Sequence, residues 1–428
     1  MLKLFQNRQA IIKNVKDIFA YFSASLIPMV LSLVTNPLIA INMSPKDYAI
    51  VGYFGSFGTL ISPLIGFSMA QYYVRNYFVV DDEGRKKLKA VVFKSLLSFS
   101  FIVALLCYIA IFTYISIFNS DIDFPIFPYL LLSVIGAPIG GIYTLQVADY
   151  KMQKNSKAFF RVNVLNGIIL TALNLLLVVL LKYGAFGKML SPVLVSCIFF
   201  LWAFNKNKDS LQIHTNWNDF INMISFCWPL ALGAMLGYFT NGFDKTYLET
   251  LKDTTTYGYY VVGANIAAYL TVFSSAISVT FQPDVYESII KNQRSRLIKT
   301  YAVQTGLISF ITIVFIILCP YVISILTAGR YVDSTPYARI IALSTIASTI
   351  YYNINGFTIG KGFPRLYLYT TALGSVCIVL AMKYFVSAFA YDGAAIMNSV
   401  SFLIFSVINI VFLWIALRLK KCQRNSAK

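Results

Sequence analysis

The sequence predicts an all-α integral membrane protein of about twelve transmembrane helices in two six-helix bundles. Three observations support this prediction: the composition, the length of the apolar segments and the distribution of the basic residues. Of the 428 residues, 58% are hydrophobic and only 12% are charged, and the mean hydropathy is +0.70. A water-soluble domain of this length cannot bury that much apolar surface, whereas lipid solvates it on the outside of a membrane protein.

The first half of the chain contains six segments of the length that a membrane helix needs, which is about 20 mostly apolar residues. These predicted spans lie near residues 18–42, 48–74, 91–117, 127–149, 160–182 and 188–205. They are too long for the strands of a membrane barrel and show no alternation, so helices are expected. The basic, amphipathic segment before the first span has no small-residue cleavage site. It is expected to be a retained cytoplasmic lead-in rather than a signal peptide.

The second half contains six further spans, near residues 219–245, 256–281, 300–327, 336–358, 365–388 and 393–417. The gaps between the spans are short, and the sequence has no nucleotide-binding motif of the GxxxxGK[ST] type. These features argue against a single-chain ATP-driven pump. They also argue against a membrane polymerase or ligase, which needs acidic catalytic groups, often on a large outer loop.

The basic residues give an orientation, because short cytoplasmic loops are enriched in Lys and Arg. With the N-terminus inside, 27 of the 35 Lys and Arg residues fall on the cytoplasmic side, together with 9 of the 17 acidic residues. The whole net charge of +18 then lies inside, and the outer side is neutral. The even number of spans and the charge split together predict a multi-pass membrane protein with both termini in the cytoplasm.

Catalytic and metal chemistry is not indicated. The six Cys residues lack metal-ligand spacing and show no disulfide framework, and the one histidine, His214, lies in a polar segment. The basic residues form no continuous patch of the kind that binds nucleic acid, because they are confined to short gaps between spans. We therefore expect no enzyme activity, no cofactor, no metal and no nucleic-acid partner.

An internal repeat with a spacing of about 206 residues divides the chain. The first span ends with the sequence TNPLIAINMSPKDYA, and the seventh ends with TNGFDKTYLETLKDTTTYG. Two bundles in the same orientation, related by an axis along the membrane normal, are an architecture of transporters. The sequence thus predicts two domains, residues 1–210 and 211–428. Chance similarity between apolar segments is the alternative.

Polar residues at helical spacing within the spans are the candidates for a substrate cavity, because polar and charged groups in a bilayer usually face a cavity or a partner. The candidates are Ser32, Asn36, Arg75, Arg161, Asn241, Asp244, Lys245 and Asn353. Each has a structural alternative. The small and polar residues could serve close helix packing, the arginines could be anchors at the inner face, and Asp244 with Lys245 could form a local ion pair near the outer interface.

The order of several short motifs resembles a known family. The seventh and eighth spans contain Pro229, the acidic–basic pair Asp244-Lys245, the segment Tyr257-Gly258-Tyr259 and Pro283; the later motifs are Gly360-Lys361-Gly362 and Tyr391-Asp392-Gly393-Ala394-Ala395. Together they resemble the polysaccharide-transporter branch of the multidrug/oligosaccharidyl-lipid/polysaccharide exporter superfamily, which includes the flippases of O-antigen and capsule repeat units. The family's acidic–basic pair is usually Asp-Arg, and here it is Asp-Lys.

The resemblance implies a flippase of the bacterial cytoplasmic (inner) membrane for undecaprenyl-pyrophosphate-linked oligosaccharide, which serves lipopolysaccharide O-antigen or capsule biosynthesis. It implies two bundles in a V shape with a central cavity that opens alternately to each side of the membrane. The polysaccharide polymerase and the chain-length machinery are the implied protein partners. Coupling to a proton or sodium gradient is compatible with the family, and Asp244 is the candidate carboxylate.

Two rival functions remain open at this stage. A multidrug or small-molecule antiporter of the same superfamily would share the fold, but it should carry a carboxylate well inside the first bundle. In the first six spans Asp17, Asp47 and Asp149 all lie near span ends, which favours a neutral or anionic substrate. A membrane polysaccharide polymerase or ligase is the second rival, and the short outer loops argue against it.

Overall fold

The computed structural model describes residues 23–24, 26–118, 122–291, 293–360 and 363–426, and nearly all of them are helical, without a β-strand. Fifteen α-helices follow one another in this part of the chain. They are α1 (Leu26–Ile41), α2 (Pro45–Gly66), α3 (Met69–Asn76), α4 (Asp82–Phe118), α5 (Tyr129–Met152), α6 (Ser156–Asn174), α7 (Gly184–Asn207), α8 (Trp217–Leu236), α9 (Tyr238–Asn241), α10 (Phe243–Leu248), α11 (Thr254–Ala267), α12 (Tyr269–Ile290), α13 (Arg294–Leu326), α14 (Thr335–Gly360) and α15 (Pro364–Ser426).

The prediction of an all-α membrane fold is confirmed. Among the described residues, eight helical segments are long and apolar enough to cross a membrane, and α1 is a shorter apolar helix. The longest helix, α15, has a break at Ala390, where φ is 47° and ψ is −126°. This break divides α15 into two arms that match the predicted eleventh and twelfth spans. The beginning of the first predicted span and the residues Lys361-Gly362 lie outside the described residues.

Three of the predicted spans are interrupted helices. The second span is broken between α2 and α3, where Phe67 and Ser68 have φ values of 45° and 53°. The seventh span consists of α8, α9 and α10, with breaks at Gly237 and Gly242. The eighth span is divided into α11 and α12 at Ala268. Hydropathy does not reveal the break at Ala268, because α11 and α12 are equally apolar.

The chain forms two compact units by its contacts. Unit 1 contains residues 1–43 and 61–232, and unit 2 contains residues 44–60 and 233–428. The unit boundaries therefore fall between α1 and α2, inside α2 and near the end of α8. The predicted division of the chain into residues 1–210 and 211–428 concerns the internal repeat, which these units do not test, and it stays a prediction.

Unit 1 has a core of buried apolar side chains from α3, α4, α5, α7 and α8, among them Met69, Phe93, Leu145 and Met223. A buried polar cluster adjoins it. The carboxylate of Asp149, which is 3% exposed, accepts hydrogen bonds from the Tyr73 hydroxyl at 2.6 Å and from the Gln153 amide at 2.9 Å. The Lys89 ammonium lies 2.6 Å from the other carboxylate oxygen of Asp149. We call these four residues the Asp149 cluster, and it links α3, α4 and α5.

Unit 2 depends on close helix contacts that only glycine permits. At Gly258 in α11, a Cβ atom would lie 2.2 Å from the carbonyl oxygen of Pro45, at the beginning of α2. At Gly374 in the first arm of α15, a Cβ atom would lie 2.1 Å from the ring of Phe405 in the second arm. These contacts explain physically why Gly258, part of the motif Tyr257-Gly258-Tyr259, has no side chain.

Candidate functional site

Asp244 lies on α10, the last piece of the interrupted seventh span, and its side chain is buried at 4% exposure. Its Oδ2 atom accepts a hydrogen bond from the hydroxyl of Tyr260 in α11 and another from the Asn398 amide, in the second arm of α15, at 3.4 Å. Its Oδ1 atom is buried and has no hydrogen-bond partner in the described part of the chain. Asp244 is thus a buried carboxylate in which one oxygen accepts hydrogen bonds and the other has no partner among the described residues.

The local sequence accounts for the position of Asp244. A Cβ atom on Gly242 would lie 2.5 Å from the hydroxyl of Thr59, so the glycine lets α10 approach α2 closely. Thr246, one turn further along the chain, is 2.7 Å from the Ser56 hydroxyl and 2.6 Å from the Tyr238 hydroxyl. These contacts fix the short helix with Asp244 directed inwards. Interrupted helices of this kind line the binding sites of many transporters.

A cavity of about 460 Å³ lies beside Asp244, entirely within unit 2. We call it the hydroxyl-lined cavity, because two neighbouring helices contribute rows of serine and threonine. Its polar lining consists of Asn241, Asp244, Lys245, Thr271, Ser274, Ser275, Ser278, Ser344, Thr345, Ser348, Tyr352 and Asn398. The four hydroxyl residues of α12 follow the spacing i, i+3, i+4, i+7, which places them on one face of the helix.

Asp244 and Lys245 are neighbours in sequence but do not form an ion pair with each other. Ion pairs in the described part of the chain lie elsewhere, and they involve Arg85, Lys87, Lys89 and Lys252. The side chain of Lys245 is half-buried and lines the hydroxyl-lined cavity, while its backbone carbonyl accepts a hydrogen bond from the Tyr257 hydroxyl at 2.7 Å. The ammonium group is therefore available to an anionic ligand in the cavity.

The structure brings three of the predicted site residues together in this cavity: Asn241, Asp244 and Lys245. Asn353 lies in a different cavity of unit 2, where its amide donates to the Thr305 hydroxyl at 3.4 Å. The sequence therefore grouped residues of unit 2 that occupy two separate places.

The other four predicted residues lie in unit 1. Ser32 is exposed and Asn36 is half-buried on α1, and Arg161 is exposed on α6. Arg75 on α3 places its guanidinium 4.4 Å from the ring centroid of Phe226, a cation–π contact. Unit 1 has its own cavity of about 480 Å³, which is lined by small residues with Thr144 and Asn166 and by none of these four residues.

Sequence reasoning missed Tyr260, Asn398 and the two hydroxyl rows. Tyr260 and Asn398 are distant from Asp244 in sequence, and no local pattern joins them. The hydroxyl rows did leave a signal, because Ser344, Thr345 and Ser348 repeat with the helical period of α14. Serine and threonine lower hydropathy only slightly, so a search for charged and amide groups passed over them. Among the described residues, no group of three or more His, Cys, Asp or Glu side chains could hold a metal ion.

Comparison with known proteins identifies the family. The profile of the family described as "Polysaccharide biosynthesis protein" matches residues 14–283, which is more than half of the chain. The chain belongs to this family. The motif-based resemblance to the polysaccharide branch of the exporter superfamily is thereby confirmed. No curated protein matches the sequence.

Solved structures with the same fold include transporters and a flippase. The lipid II flippase MurJ in an inward-closed conformation is similar with a TM-score of 0.68, at 15% identity, over 92% of this chain and 87% of that one. An inward-facing multidrug-resistance MATE transporter of the MOP superfamily gives 0.63, at 15% identity, over 93% and 99%. The Vibrio cholerae MATE transporter VcmN in its bent form gives 0.57, at 13% identity, over 96% and 97%. The fold is thus similar to that of these transporters and of this flippase.

Proposed function

We propose that this protein is a flippase that moves undecaprenyl-pyrophosphate-linked oligosaccharide repeat units across the cytoplasmic membrane by alternating access. The observation that carries the proposal is the hydroxyl-lined cavity in a member of a polysaccharide biosynthesis family. A sugar presents many hydroxyl groups, each of which both donates and accepts hydrogen bonds. Serine and threonine hydroxyls rotate to meet either need.

The charges of the cavity suit a lipid-linked pyrophosphate. Lys245 supplies an ammonium group, which binds phosphate as a point charge rather than through the two-pronged geometry of arginine. The polyprenyl chain would remain in the lipid, because burying its apolar surface in a polar cavity brings no gain. Ser32, Asn36, Arg75 and Arg161 are proposed as further substrate contacts from unit 1, whereas Asn353 lies outside the hydroxyl-lined cavity.

Asp244 is the proposed coupling residue. A buried carboxylate with one uncommitted oxygen can take up a proton or a sodium ion, and either would neutralise its charge. Because Oδ2 is shared with Tyr260 and Asn398, such a change would alter contacts to α11 and α15 at once. We expect Asp244→Asn to remove the dependence of flipping on the ion gradient in proteoliposomes. Unchanged gradient dependence would move the coupling function to another residue.

The proposed setting is the bacterial inner membrane, with both termini in the cytoplasm. The product of flipping would be a repeat unit on the outer face, where a polysaccharide polymerase and its chain-length machinery could use it. The glycan pathway, whether O-antigen, capsule or another, is not specified by the cavity.

The test is depletion of the protein in its native bacterium. Lipid-linked oligosaccharide is extracted, and its exposure to a membrane-impermeant probe on the outer face is measured. We expect cytoplasm-facing intermediates to accumulate while their synthesis continues. Normal arrival of the intermediate at the outer face, in the absence of a second flippase, would refute the proposal.

Complementation of the depleted strain then tests the cavity. We expect Lys245→Gln, and separately the double variant Ser274→Ala with Thr345→Val, to reduce flipping while the protein still reaches the membrane. Lys46→Gln is the matched control, because it removes one exposed lysine at the beginning of α2, outside the cavity. Equal activity of the Lys245→Gln and Lys46→Gln strains would mean that the cavity does not bind the pyrophosphate.

A multidrug or small-molecule antiporter is the second candidate, because the fold is also similar to MATE transporters. The lining of the unit 1 cavity includes no acidic residue, and the buried carboxylate of Asp149 is neutralised by Lys89. This arrangement favours a neutral or anionic substrate over a cationic drug. A drug-susceptibility change on depletion, with normal glycan export, would reverse this preference.

A further inference from the structure

A second cavity of unit 2, of about 740 Å³, shares no lining residue with the hydroxyl-lined cavity. We call it the α13 groove, because one face of α13 forms its longest wall. Residues Arg294, Leu297, Ile298, Tyr301 and Thr305 line it with the spacing of a single helical face. The other walls come from the end of α12, from α14 and from the second arm of α15, and they are mainly isoleucine, leucine and phenylalanine.

The length of the groove corresponds to one leaflet of a bilayer. Arg294 and Thr305 mark its two ends on α13, and eleven residues of helix at about 1.5 Å each extend about 16 Å. The hydrocarbon core of a bilayer is about 30 Å thick, so half of it is about 15 Å. An apolar groove of this length on a membrane protein matches the depth of one lipid chain.

The polar groups of the groove lie at defined positions. Arg294 is exposed at the beginning of α13 and has no acidic partner in the described part of the chain. The hydroxyl of Ser288 lines the groove, is buried at 1% exposure and has no hydrogen-bond partner among the described residues. At the opposite end, Asn353 and Thr305 bond to each other. The groove thus has one basic end, at Arg294, and one end where the two polar side chains bond to each other.

We propose that the α13 groove binds an anionic phospholipid of the leaflet at which α13 begins, with one acyl chain in the groove and the phosphate at Arg294. Basic pockets between transmembrane helices on the cytoplasmic side are a recognised way to bind lipid headgroups. Three further basic residues lie close to Arg294 in sequence, namely Lys291, Arg296 and Lys299. They increase the local concentration of anionic lipid at this surface.

The occupant is a resident membrane lipid rather than the transported substrate. The groove is separate from Asp244 and Lys245, and it is as deep as one leaflet, whereas the polyprenyl chain of an undecaprenyl carrier is much longer than one acyl chain. The bound lipid fills a gap between α13, α14 and the second arm of α15, so it stabilises their packing. The inference therefore stands independently of what the protein transports.

The experiment is native mass spectrometry of the purified full-length protein with phosphatidylglycerol and phosphatidylcholine of identical chains. We expect tighter binding of phosphatidylglycerol, and we expect Arg294→Gln to weaken it about five-fold, the effect of one basic residue near a membrane surface. Lys299→Gln is the matched charge control, since Lys299 is exposed on the same helix but does not line the groove. It should retain wild-type affinity.

A second pair of variants tests the apolar part. Ile298→Trp places a large side chain on the exposed edge of the groove and should weaken binding of both lipids, whereas Val303→Trp, on the same helix but outside the groove, should not. Thermal stability without added lipid identifies any variant that fails to fold. Equal effects of the two charge variants, or of the two tryptophan variants, overturn the site. A third result also overturns the site, namely that undecaprenyl phosphate displaces the lipid that copurifies with the protein and phosphatidylglycerol does not. That result would assign the groove to the polyprenyl chain of the substrate.

Discussion

The Asp149 cluster is expected to make a measurable contribution to the stability of unit 1. Breaking a buried ion pair by removing one partner typically costs about 3–5 kcal/mol. Here the Lys89 side chain is 20% exposed and Asp149 keeps its bonds to Tyr73 and Gln153. We therefore expect Lys89→Met to lower the free energy of unfolding by about 1.5–3 kcal/mol, the range for a charge-assisted hydrogen bond. Asp149→Asn should cost a similar amount, because it leaves the ammonium of Lys89 without a carboxylate.

The double variant distinguishes a specific pair from general disruption. In the protein with both Lys89→Met and Asp149→Asn, neither partner is left charged, so we expect the combined loss to fall short of the sum by about 1–2 kcal/mol. Unfolding would be followed in mixed detergent micelles by the loss of helical circular dichroism. Lys86→Met, an exposed lysine on the same helix, should change stability by no more than about 0.5 kcal/mol. Additive effects of the two cluster variants would refute the reasoning.

Three further predictions concern unit 2. Gly258→Ala should destabilise the protein by about 1–3 kcal/mol, because its methyl group meets the Pro45 carbonyl, and thermal unfolding would detect the loss. Tyr260→Phe should lower transport more than stability, since it removes one hydrogen bond from the buried carboxylate; equal flipping by wild type and variant would contradict this. Ala390→Gly should raise stability by about 1 kcal/mol, because glycine adopts the positive φ of the α15 break without strain, and a lower melting temperature would contradict it.

Most of the fold was predictable from the sequence because the bilayer imposes a length on every span. The predicted spans correspond to the described helices even in α15, where the polar residues near Asp392 indicated two spans and the backbone turns at Ala390. The interruption at Ala268 was not predictable, since the helices on its two sides are equally apolar.

The candidate site was predictable only in part. Asp244 and Lys245 were identified because charged residues are costly in a membrane and therefore conspicuous in sequence. The partners of Asp244, Tyr260 and Asn398, come from two other helices, and only the folded chain brings them to the carboxylate. Asn353 was assigned to the same cavity because sequence alone treats all polar residues within spans alike, although the helices direct it into the α13 groove.

The hydroxyl rows of α12 and α14 have a consequence for the range of cargo that the protein could accept. A hydroxyl group can rotate and act as either donor or acceptor of a hydrogen bond. A cavity lined by such groups therefore recognises the number of polar atoms on a ligand more than their stereochemistry. Strong discrimination between similar sugars would need fixed donors or acceptors that are left unsatisfied by the wrong guest. A repertoire of different glycans could therefore pass through one scaffold, and redesign towards a single glycan should begin by replacing hydroxyls such as Ser274 and Ser344 with amides or carboxylates of fixed geometry.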